Sequence, residues 1–316
     1  MNKILHYFNK SIVIWVIVFG LLAYFYPPIF SGLKKYINVF FAFAMFGIGL
    51  VITEEDYRNI IRSPLKVAFG TLCQFTIMPS LALFTSYIFH LSPAWTVGLV
   101  LTGAAPGAMT SNVISYLSKG DVAYSVSLTA ASTLLCPVLT PLLTLLLAGT
   151  KVPIAFFPMF STIVLIVVFP LIAGFIVRKA VPRFIPRLGE WPSTISVLSI
   201  VVITSFVIAV NKEKLGYASF FLLGAVAFHN AAGMILGFLA GYIGKLNYLR
   251  RKTLSIEIGM QNAGLGVVLA ITHFGNEVAI PAAIFTIWCI ITASLLVYFW
   301  SFIESRKNIT GILNET

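Results

Sequence analysis

The chain has 316 residues, of which 59% are hydrophobic and 10% are charged, and its formal net charge is +11. An ordinary soluble domain carries about a quarter of its residues as Asp, Glu, Lys or Arg, so this composition excludes a water-soluble globular protein. The basic residues lie between apolar runs rather than in one patch, which argues against a nucleic-acid partner. The composition therefore indicates a protein that crosses a membrane.

Apolar runs of roughly 18 to 28 residues follow one another along the chain, and a helix of about 20 residues crosses the hydrocarbon layer of a bilayer. The first run resembles a signal sequence but has no small-residue cleavage site, so we expect it to remain as a helix. The runs predict an all-α membrane protein with ten spanning helices, at residues 11–27, 33–53, 64–90, 93–118, 121–149, 153–178, 192–211, 216–244, 250–274 and 278–303.

The basic residues predict the orientation of these helices, because cytoplasmic loops of membrane proteins carry an excess of Lys and Arg. If both termini lie in the cytoplasm, all but five of the 21 lysine and arginine residues fall on the cytoplasmic side. The exceptions are Lys34, Lys35, Lys151, Lys212 and Lys214. We therefore expect a multi-pass protein of the bacterial inner membrane, surrounded by lipid, with both termini in the cytoplasm.

Dividing the ten predicted helices into two sets of five gives halves of opposite orientation, residues 1–149 and 150–316. This is the arrangement of an inverted repeat. The fourth helix of each half is the one most interrupted by Gly, Pro and polar side chains. Paired interruptions at equivalent positions of two repeats are a strong sequence indicator of a binding site in the membrane.

Glu257 is the only one of the ten acidic residues predicted to lie deep in a spanning helix. An ionisable side chain at that depth costs on the order of 3 kcal/mol, so its presence indicates a partner or a functional site. We place no Lys or Arg at the same depth. A bound cation is the natural partner, and a protonated Glu257 with a structural role is the alternative.

Two segments are expected to break their helices. The first runs from Pro106 to Asn112, where proline removes a backbone donor, and a simple proline kink is the alternative there. The second runs from Glu257 to Gly264, with three carboxylate or amide side chains and two glycines. A break frees backbone carbonyls, and those of Ile258 and Met260 are expected to become cation ligands.

Other polar residues in the apolar runs are weaker indicators. Gln74 lies midway along the third predicted helix, and Ser125 and Thr129 lie four residues apart on one face of the fifth. Either hydroxyl could instead bond its own helix backbone. His229 and Asn230 favour interhelical hydrogen bonding over a proton relay. The three cysteines, in apolar runs and without CxxC spacing, indicate neither a disulfide framework nor a zinc site.

These motifs together resemble the bile acid:sodium symporter family over nearly the whole chain. The resemblance rests on P-G-x-x-x-S-N at Pro106–Asn112, on Lys119-Gly120-Asp121 followed by Ser125 and Thr129, and on E-x-G-x-Q-N-x-x-L at Glu257–Leu265. It implies a ten-helix fold of two inverted repeats whose fourth and ninth helices cross at mid-membrane. It also implies a core domain of helices 3–5 and 8–10 and a panel domain of helices 1, 2, 6 and 7.

The resemblance further implies two Na⁺ ions as the coupling cofactors. The residues that match the family's first sodium site are Ser111, Asn112, Ser125, Thr129 and Glu257. Those that match the second are Gln74, Glu257, Gln261 and the carbonyls of Ile258 and Met260. All of these positions have an oxygen to offer a cation.

The resemblance places the substrate, an organic anion, between the core and the panel. We expect Met109, Thr110, Asn262 and Cys289 to line this site. Many relatives read P-G-G-T where this chain has Pro106–Met109, and some have a His-Asn pair where it has Cys289 followed by Ile290. The expected substrate is therefore either bile-acid-like or a small carboxylate such as pantoate.

The sequence thus predicts a sodium-coupled symporter that works by alternating access, with a substrate carboxylate held at the half-helix N-termini around Thr110 and Asn262. A proton-coupled carrier or a cation/proton exchanger that uses Glu257 is the alternative. A channel or a membrane receptor is disfavoured by the absence of a signalling domain and of a long polar stripe. No catalytic constellation indicates an enzyme, and nothing indicates an obligatory protein partner.

Overall fold

The computed structural model describes residues 12–51, 63–213 and 220–314, with Leu5 and Thr53, but not the side chains of residues 12, 13, 186 and 301–314. The predicted helix ends at residues 11 and 216, and Lys214, lie outside the described residues. Within the described part, the regular structure is helical apart from one isolated β-bridge.

The helices follow the predicted apolar runs closely. They are α1 (Ile12–Phe25), α2 (Pro28–Val51), α3 (Pro64–Ile88), α4a (Pro93–Gly103), α4b (Thr110–Leu117), α5 (Val122–Ala148), α6 (Phe156–Ala180), α7 (Trp191–Val210), α8 (Phe220–Ile243), α9a (Tyr248–Gly259), α9b (Ala263–His273) and α10 (Ile280–Asn314). The largest difference is at the end of α10, which continues to Asn314 rather than stopping near residue 303.

Seven helices in the described part are long and apolar enough to cross a membrane by themselves, namely α2, α3, α5, α6, α7, α8 and the first part of α10. Helix α1 has 14 described residues, and α4a, α4b, α9a and α9b are shorter than a full crossing. The outer surface is apolar, with Phe157, Phe220 and Ile243 at least three-quarters exposed. Such a surface needs a lipid environment.

Side-chain caps explain where several helices begin. The Ser92 hydroxyl accepts a hydrogen bond from the Trp95 amide at 3.3 Å, and Pro93 occupies the first turn of α4a. The Asn247 amide oxygen accepts from the Arg250 amide at 2.9 Å at the start of α9a. These caps fix the entry of the chain into both interrupted helices.

The helices pack in two groups. Helix α2 packs mainly against α6 and α7, and α1 packs against α7, whereas α3, α8 and α9a pack on one another and on α5 and α10. The approach of α2 to α6 is close, because a Cβ built on Gly49 would lie 3.1 Å from the Gly174 Cα. Helices α4a and α9b are central to the second group, where Leu99 and Leu269 are fully buried.

Lys252 differs from the sequence expectation. Its place near the start of the predicted helix 250–274 counts it among the basic residues of the cytoplasmic side, but α9a already begins at Tyr248 and the Lys252 side chain is fully buried. Its ammonium nitrogen lies 5.4 Å from the centre of the Trp300 ring and 5.5 Å from that of Tyr248. Aromatic faces attract a cation, which helps to stabilise the buried charge.

Candidate cation and substrate site

The two interruptions are shorter than expected. Helix α4a ends at Gly103 and α4b begins at Thr110, so Asn112, predicted to lie in the break, is helical. Helix α9a continues through Glu257 to Gly259, and only residues 260–262 are non-helical before α9b. The predicted break from Glu257 to Gly264 was therefore too long, since Glu257 lies in the last turn of an intact helix.

The two interruptions cross and pair with each other. The Ala108 amide donates to the Met260 carbonyl, and the Asn262 amide donates to the Pro106 carbonyl, both at 2.8 Å. These bonds form an antiparallel β-bridge between Gly107 and Gln261. Each break leaves backbone amides and carbonyls without partners in their own helix, and these groups form hydrogen bonds with the other break. In an apolar environment such backbone groups must be hydrogen-bonded.

Side chains bond the remaining carbonyls at the end of α4a. The Thr140 hydroxyl donates to the Ala104 carbonyl at 2.6 Å, and the Gln74 amide donates to the Ala105 carbonyl at 3.4 Å. Thr140 was missed by the sequence analysis. The signal that could have found it is its place between Pro137 and Pro141 in an otherwise apolar run.

The end of α9a is bonded in the same way. The Asn230 amide donates to the Gly259 carbonyl at 2.7 Å, and its oxygen accepts from Thr292 of α10 at 2.6 Å. The neighbouring His229 ring lies 3.0 Å from the Met78 carbonyl of α3. The residues expected to make interhelical hydrogen bonds therefore make them, and Asn230 does so at the crossing itself.

All five side chains predicted for the first sodium site lie together. Ser111 donates to Glu257 Oε1 at 2.5 Å, Ser125 makes a very short hydrogen bond to the same atom, and Thr129 donates to Oε2 at 3.0 Å. The Asn112 side-chain oxygen lies 2.9 Å from the Ser125 hydroxyl. Glu257 is 2% exposed. We call these five residues the carboxylate cluster.

The carboxylate cluster has the chemistry of a site for a hard cation. It offers carboxylate, amide and hydroxyl oxygens, the ligand types that alkali and alkaline-earth ions take in proteins. Three neutral hydroxyls only partly offset the cost of a buried negative charge. Arg250 pairs with Asp121 rather than with Glu257, which is in no salt bridge with the residues that the structure describes.

The residues predicted for a second sodium site are only partly assembled. Gln74 donates to Gln261 Oε1 at 2.7 Å, and Gln261 donates to the Ile258 carbonyl at 2.8 Å. The Met260 carbonyl instead accepts from Ala108 in the β-bridge. Each of these oxygens has a second lone pair, so it can accept a hydrogen bond and also face a cation.

Three of the four predicted substrate residues lie beside the crossing. Thr110 begins α4b and Met109 directly precedes it. Asn262 caps α9b by accepting a hydrogen bond from the Leu265 amide at 3.3 Å. All three are half-buried. Cys289 differs, because it is buried in α10 and its thiol bonds the Thr286 carbonyl of the same helix at 3.6 Å.

The Lys119-Gly120-Asp121 motif ties the elements of the carboxylate cluster together. Lys119 adopts a positive φ of 54° and reverses the chain after α4b, and Asp121 caps α5 through the Tyr124 amide at 3.0 Å. The second Asp121 oxygen pairs with Arg250 of α9a at 2.7 Å. The motif therefore fixes the helices that carry Ser111, Ser125 and Glu257 relative to one another.

Interrupted helices that meet around polar residues in an apolar helical bundle are characteristic of secondary transporters. A model of the sodium bile acid symporter family matches residues 38–217. The chain is 38% identical over 301 residues to the uncharacterized sodium-dependent transporter YocS of Bacillus subtilis, covering 95% of this chain and 94% of that protein. It is 31% identical over 294 residues to the probable sodium/metabolite cotransporter BASS1, chloroplastic, of Arabidopsis thaliana, covering 92% of this chain and 73% of that protein.

A third relative, the probable sodium/metabolite cotransporter BASS2, chloroplastic, of Oryza sativa subsp. japonica, is 33% identical over 301 residues, covering 95% of this chain and 72% of that protein. The chain belongs to the sodium bile acid symporter family. It is therefore a membrane transporter of a small molecule and not an enzyme.

Proposed function

We propose that this protein is a sodium-coupled symporter of an organic anion that works by alternating access in a bacterial plasma membrane, with both termini in the cytoplasm. The observation that carries the proposal is the carboxylate cluster at the crossing of two interrupted helices. Its buried negative charge has no basic partner among the described residues, and a sodium ion would supply one. The names of the relatives agree with sodium as the ion.

We further propose that the helices form two inverted repeats, residues 1–149 and 150–316, with ten crossings. The pair of interrupted helices, which lie fourth in each set of five, supports this proposal, and the turns before them match. His90, before α4a, and Lys245, before α9a, both have a positive φ, and each is followed two residues later by a side-chain cap. Both turns also have the same backbone hydrogen bonds. The first of three successive amides donates to the carbonyl four residues earlier in the chain, the second to the carbonyl three residues earlier, and the third to the carbonyl five residues earlier.

Two sodium ions are proposed to act together. The first would lie in the carboxylate cluster, and the second would bind Glu257, Gln74, Gln261 and the carbonyls of Ile258 and Met260. Because both ions would share Glu257 and order the same crossing, their binding should be cooperative. The second ion would share the Gln261 and Met260 oxygens with the hydrogen bonds from Gln74 and Ala108.

Replacing Gln261 by Ala is expected to remove the second ion and leave the first. The Hill coefficient of sodium-dependent stabilisation should then fall from about 2 to about 1. Ser255→Ala is the matched control, since Ser255 is buried on α9a, just before this break, but bonds the Met234 carbonyl of α8. An unchanged Hill coefficient above 1 in Gln261→Ala would contradict a second site at this residue.

The cargo is proposed to be a carboxylate held near Met109, Thr110 and Asn262, at the N-termini of α4b and α9b. Those helix ends carry partial positive charge, which favours an anion. A thermal-stability screen of bile acids and small carboxylates such as pantoate, with Na⁺ and with K⁺, tests this function. A true cargo should stabilise the protein more in Na⁺ than in K⁺, because the linkage between cargo and ion is reciprocal. Binding that is independent of Na⁺ would contradict symport.

Alternating access would require movement between the panel domain, α1, α2, α6 and α7, and the core domain formed by the other helices. Among hydrogen bonds that join described residues, every side-chain bond between these two groups lies at one end of the molecule. These end contacts join Thr272 to Asn38, His273 to Thr162, and Asn211 to the Asn276 carbonyl, each at 3.0 Å. We propose that they close the periplasmic side and break when the site opens outward.

A disulfide between Asn38→Cys and Thr272→Cys is expected to hold this end closed. Uptake of a cargo identified in the screen should be lost on oxidation and recover on reduction, while sodium-dependent stabilisation is retained. The native Cys73, Cys136 and Cys289 are all buried and should not compete. Each single-cysteine variant is the control. Full uptake by the cross-linked protein would show that this end does not open.

A proton-coupled carrier is the second candidate. The observation that favours it is that the Glu257 carboxylate is already surrounded by three hydroxyls, partners that would also serve a protonated acid. Uptake driven by a pH gradient in the absence of Na⁺ would favour this candidate over the sodium symporter.

A further inference from the structure

Ser115 lies next to the carboxylate cluster but is not one of its five residues. It is fully buried on α4b, one helical turn after Ser111, and its hydroxyl oxygen lies 3.1 Å from that of Ser125. This contact joins α4b to α5 at the point where Ser125 reaches Glu257. The position suggests a role in the sodium site beyond the ligands themselves.

A hydroxyl that ligates a cation must direct a lone pair at the ion and give its proton to another acceptor. Two of the three hydroxyls of the carboxylate cluster have a backbone acceptor for this purpose. The Ser111 hydroxyl lies 2.6 Å from the Ala108 carbonyl, and the Thr129 hydroxyl lies 3.1 Å from the Ser125 carbonyl. Both could turn toward a cation and keep a hydrogen bond.

Ser125 is the exception. Its hydroxyl contacts only Glu257, Asn112 and Ser115 among the described residues, and no backbone carbonyl. Glu257 and Asn112 are expected to direct their oxygens at the ion, and a Ser125 proton donated to either oxygen would lie close to the cation and be repelled by it. Ser115 is the acceptor that remains.

We propose that Ser115 is a positioning residue that accepts the Ser125 proton when sodium binds. Without the ion, Ser125 donates to Glu257, and Ser115 can donate to Ser125. With the ion, the direction of the Ser115–Ser125 hydrogen bond reverses, so that a Ser125 lone pair faces sodium. The proposal rests on the proposed sodium site and assigns to Ser115 a role in ion affinity without contact with the ion.

The test is the sodium dissociation constant, obtained from the rise of melting temperature with sodium concentration and measured in wild type, Ser115→Ala and Ser127→Ala. Removing a partner that orients a ligand typically weakens metal binding by 10–100-fold, so we expect an increase of about tenfold for Ser115→Ala. Ser127→Ala is the matched control, because it removes a buried hydroxyl of α5 that bonds only the Ala123 carbonyl of its own helix. It should bind sodium as wild type does.

A double-mutant cycle separates this role from a structural one. In a Ser125→Ala background, Ser115 has no proton to accept, so Ser115→Ala should cause no further loss of sodium affinity. The role of Ser115 would be overturned if Ser115→Ala lowered sodium affinity equally in the wild-type and Ser125→Ala backgrounds. It would also be overturned if Ser115→Ala bound sodium as tightly as Ser127→Ala does. Either result would leave the proposed sodium site intact. If wild type shows no sodium-specific stabilisation, the proposed function fails, and the role of Ser115 fails with it.

Discussion

Glu257→Gln is expected to abolish sodium-dependent stabilisation and sodium-driven uptake. Glu257 is the only charged member of the carboxylate cluster, and Gln replaces it with almost no change in shape. Removing one partner of a buried ion pair costs about 3 kcal/mol or more, which corresponds to at least about a hundredfold loss of sodium affinity. Sodium titrations followed by thermal unfolding would measure this loss.

Glu277→Gln is the control for this substitution. Glu277 begins the short helix before α10 and lies outside the carboxylate cluster, so the loss of its charge should leave the sodium titration unchanged. If Glu257→Gln kept wild-type sodium affinity and coupled uptake, Glu257 would not be an ion ligand and the sodium site would have to lie elsewhere.

The second large effect is expected for Gly107→Ala. A Cβ built on Gly107 would lie 2.7 Å from Glu257 Oε2, closer than real Cβ atoms come to other heavy atoms. Either the carboxylate or the β-bridge must shift, and overpacking of this kind costs about 1–3 kcal/mol. We therefore expect a lower melting temperature and, because the displaced group is the carboxylate, a sodium affinity reduced by about tenfold or more.

Gly32→Ala is the matched control, because a Cβ built on Gly32 has no neighbouring atom within 4 Å. It should change the melting temperature by no more than about a degree, as is usual for surface substitutions. The sodium affinity should stay unchanged. Wild-type sodium affinity in Gly107→Ala would mean that the carboxylate position is not important for binding.

The members of the carboxylate cluster were predicted as a set from the family resemblance, and only some of them carry a local signal of their own. A carboxylate in an apolar run, and hydroxyls four residues apart, are visible without knowledge of the fold. The structure brings Ser111, Asn112, Ser125, Thr129 and Glu257 together, and this assembly agrees with the expectation from the family resemblance. Their role as ligands is still a prediction.

The exact limits of the breaks could not be predicted, because they depend on contacts between distant parts of the chain. Glu257 can remain helical because the carbonyls beyond it find partners elsewhere: Asn230 bonds the Gly259 carbonyl, and the Ala108 amide bonds that of Met260. Thr140 bonds the end of α4a from 36 residues away. A pattern of residue types does not contain such pairings.

The burial of Lys252 was missed for a related reason. The charge count placed it on the cytoplasmic side at the start of the predicted helix 250–274, but α9a begins at Tyr248 and carries it into the helical bundle against Trp300. Long basic side chains can pack their apolar stems in a protein interior, so a count of charges does not determine their depth.

Thermal unfolding of the purified wild-type protein at increasing NaCl, with KCl added to hold ionic strength constant, tests the sodium site most directly. A cation that binds only the folded state raises the melting temperature progressively once its concentration exceeds the dissociation constant, because the stabilisation grows with the logarithm of that concentration. The carboxylate cluster predicts a rise in melting temperature with Na⁺ that K⁺ does not reproduce and that Glu257→Gln removes. Equal melting temperatures in Na⁺ and K⁺ at every concentration would contradict a sodium site at Glu257.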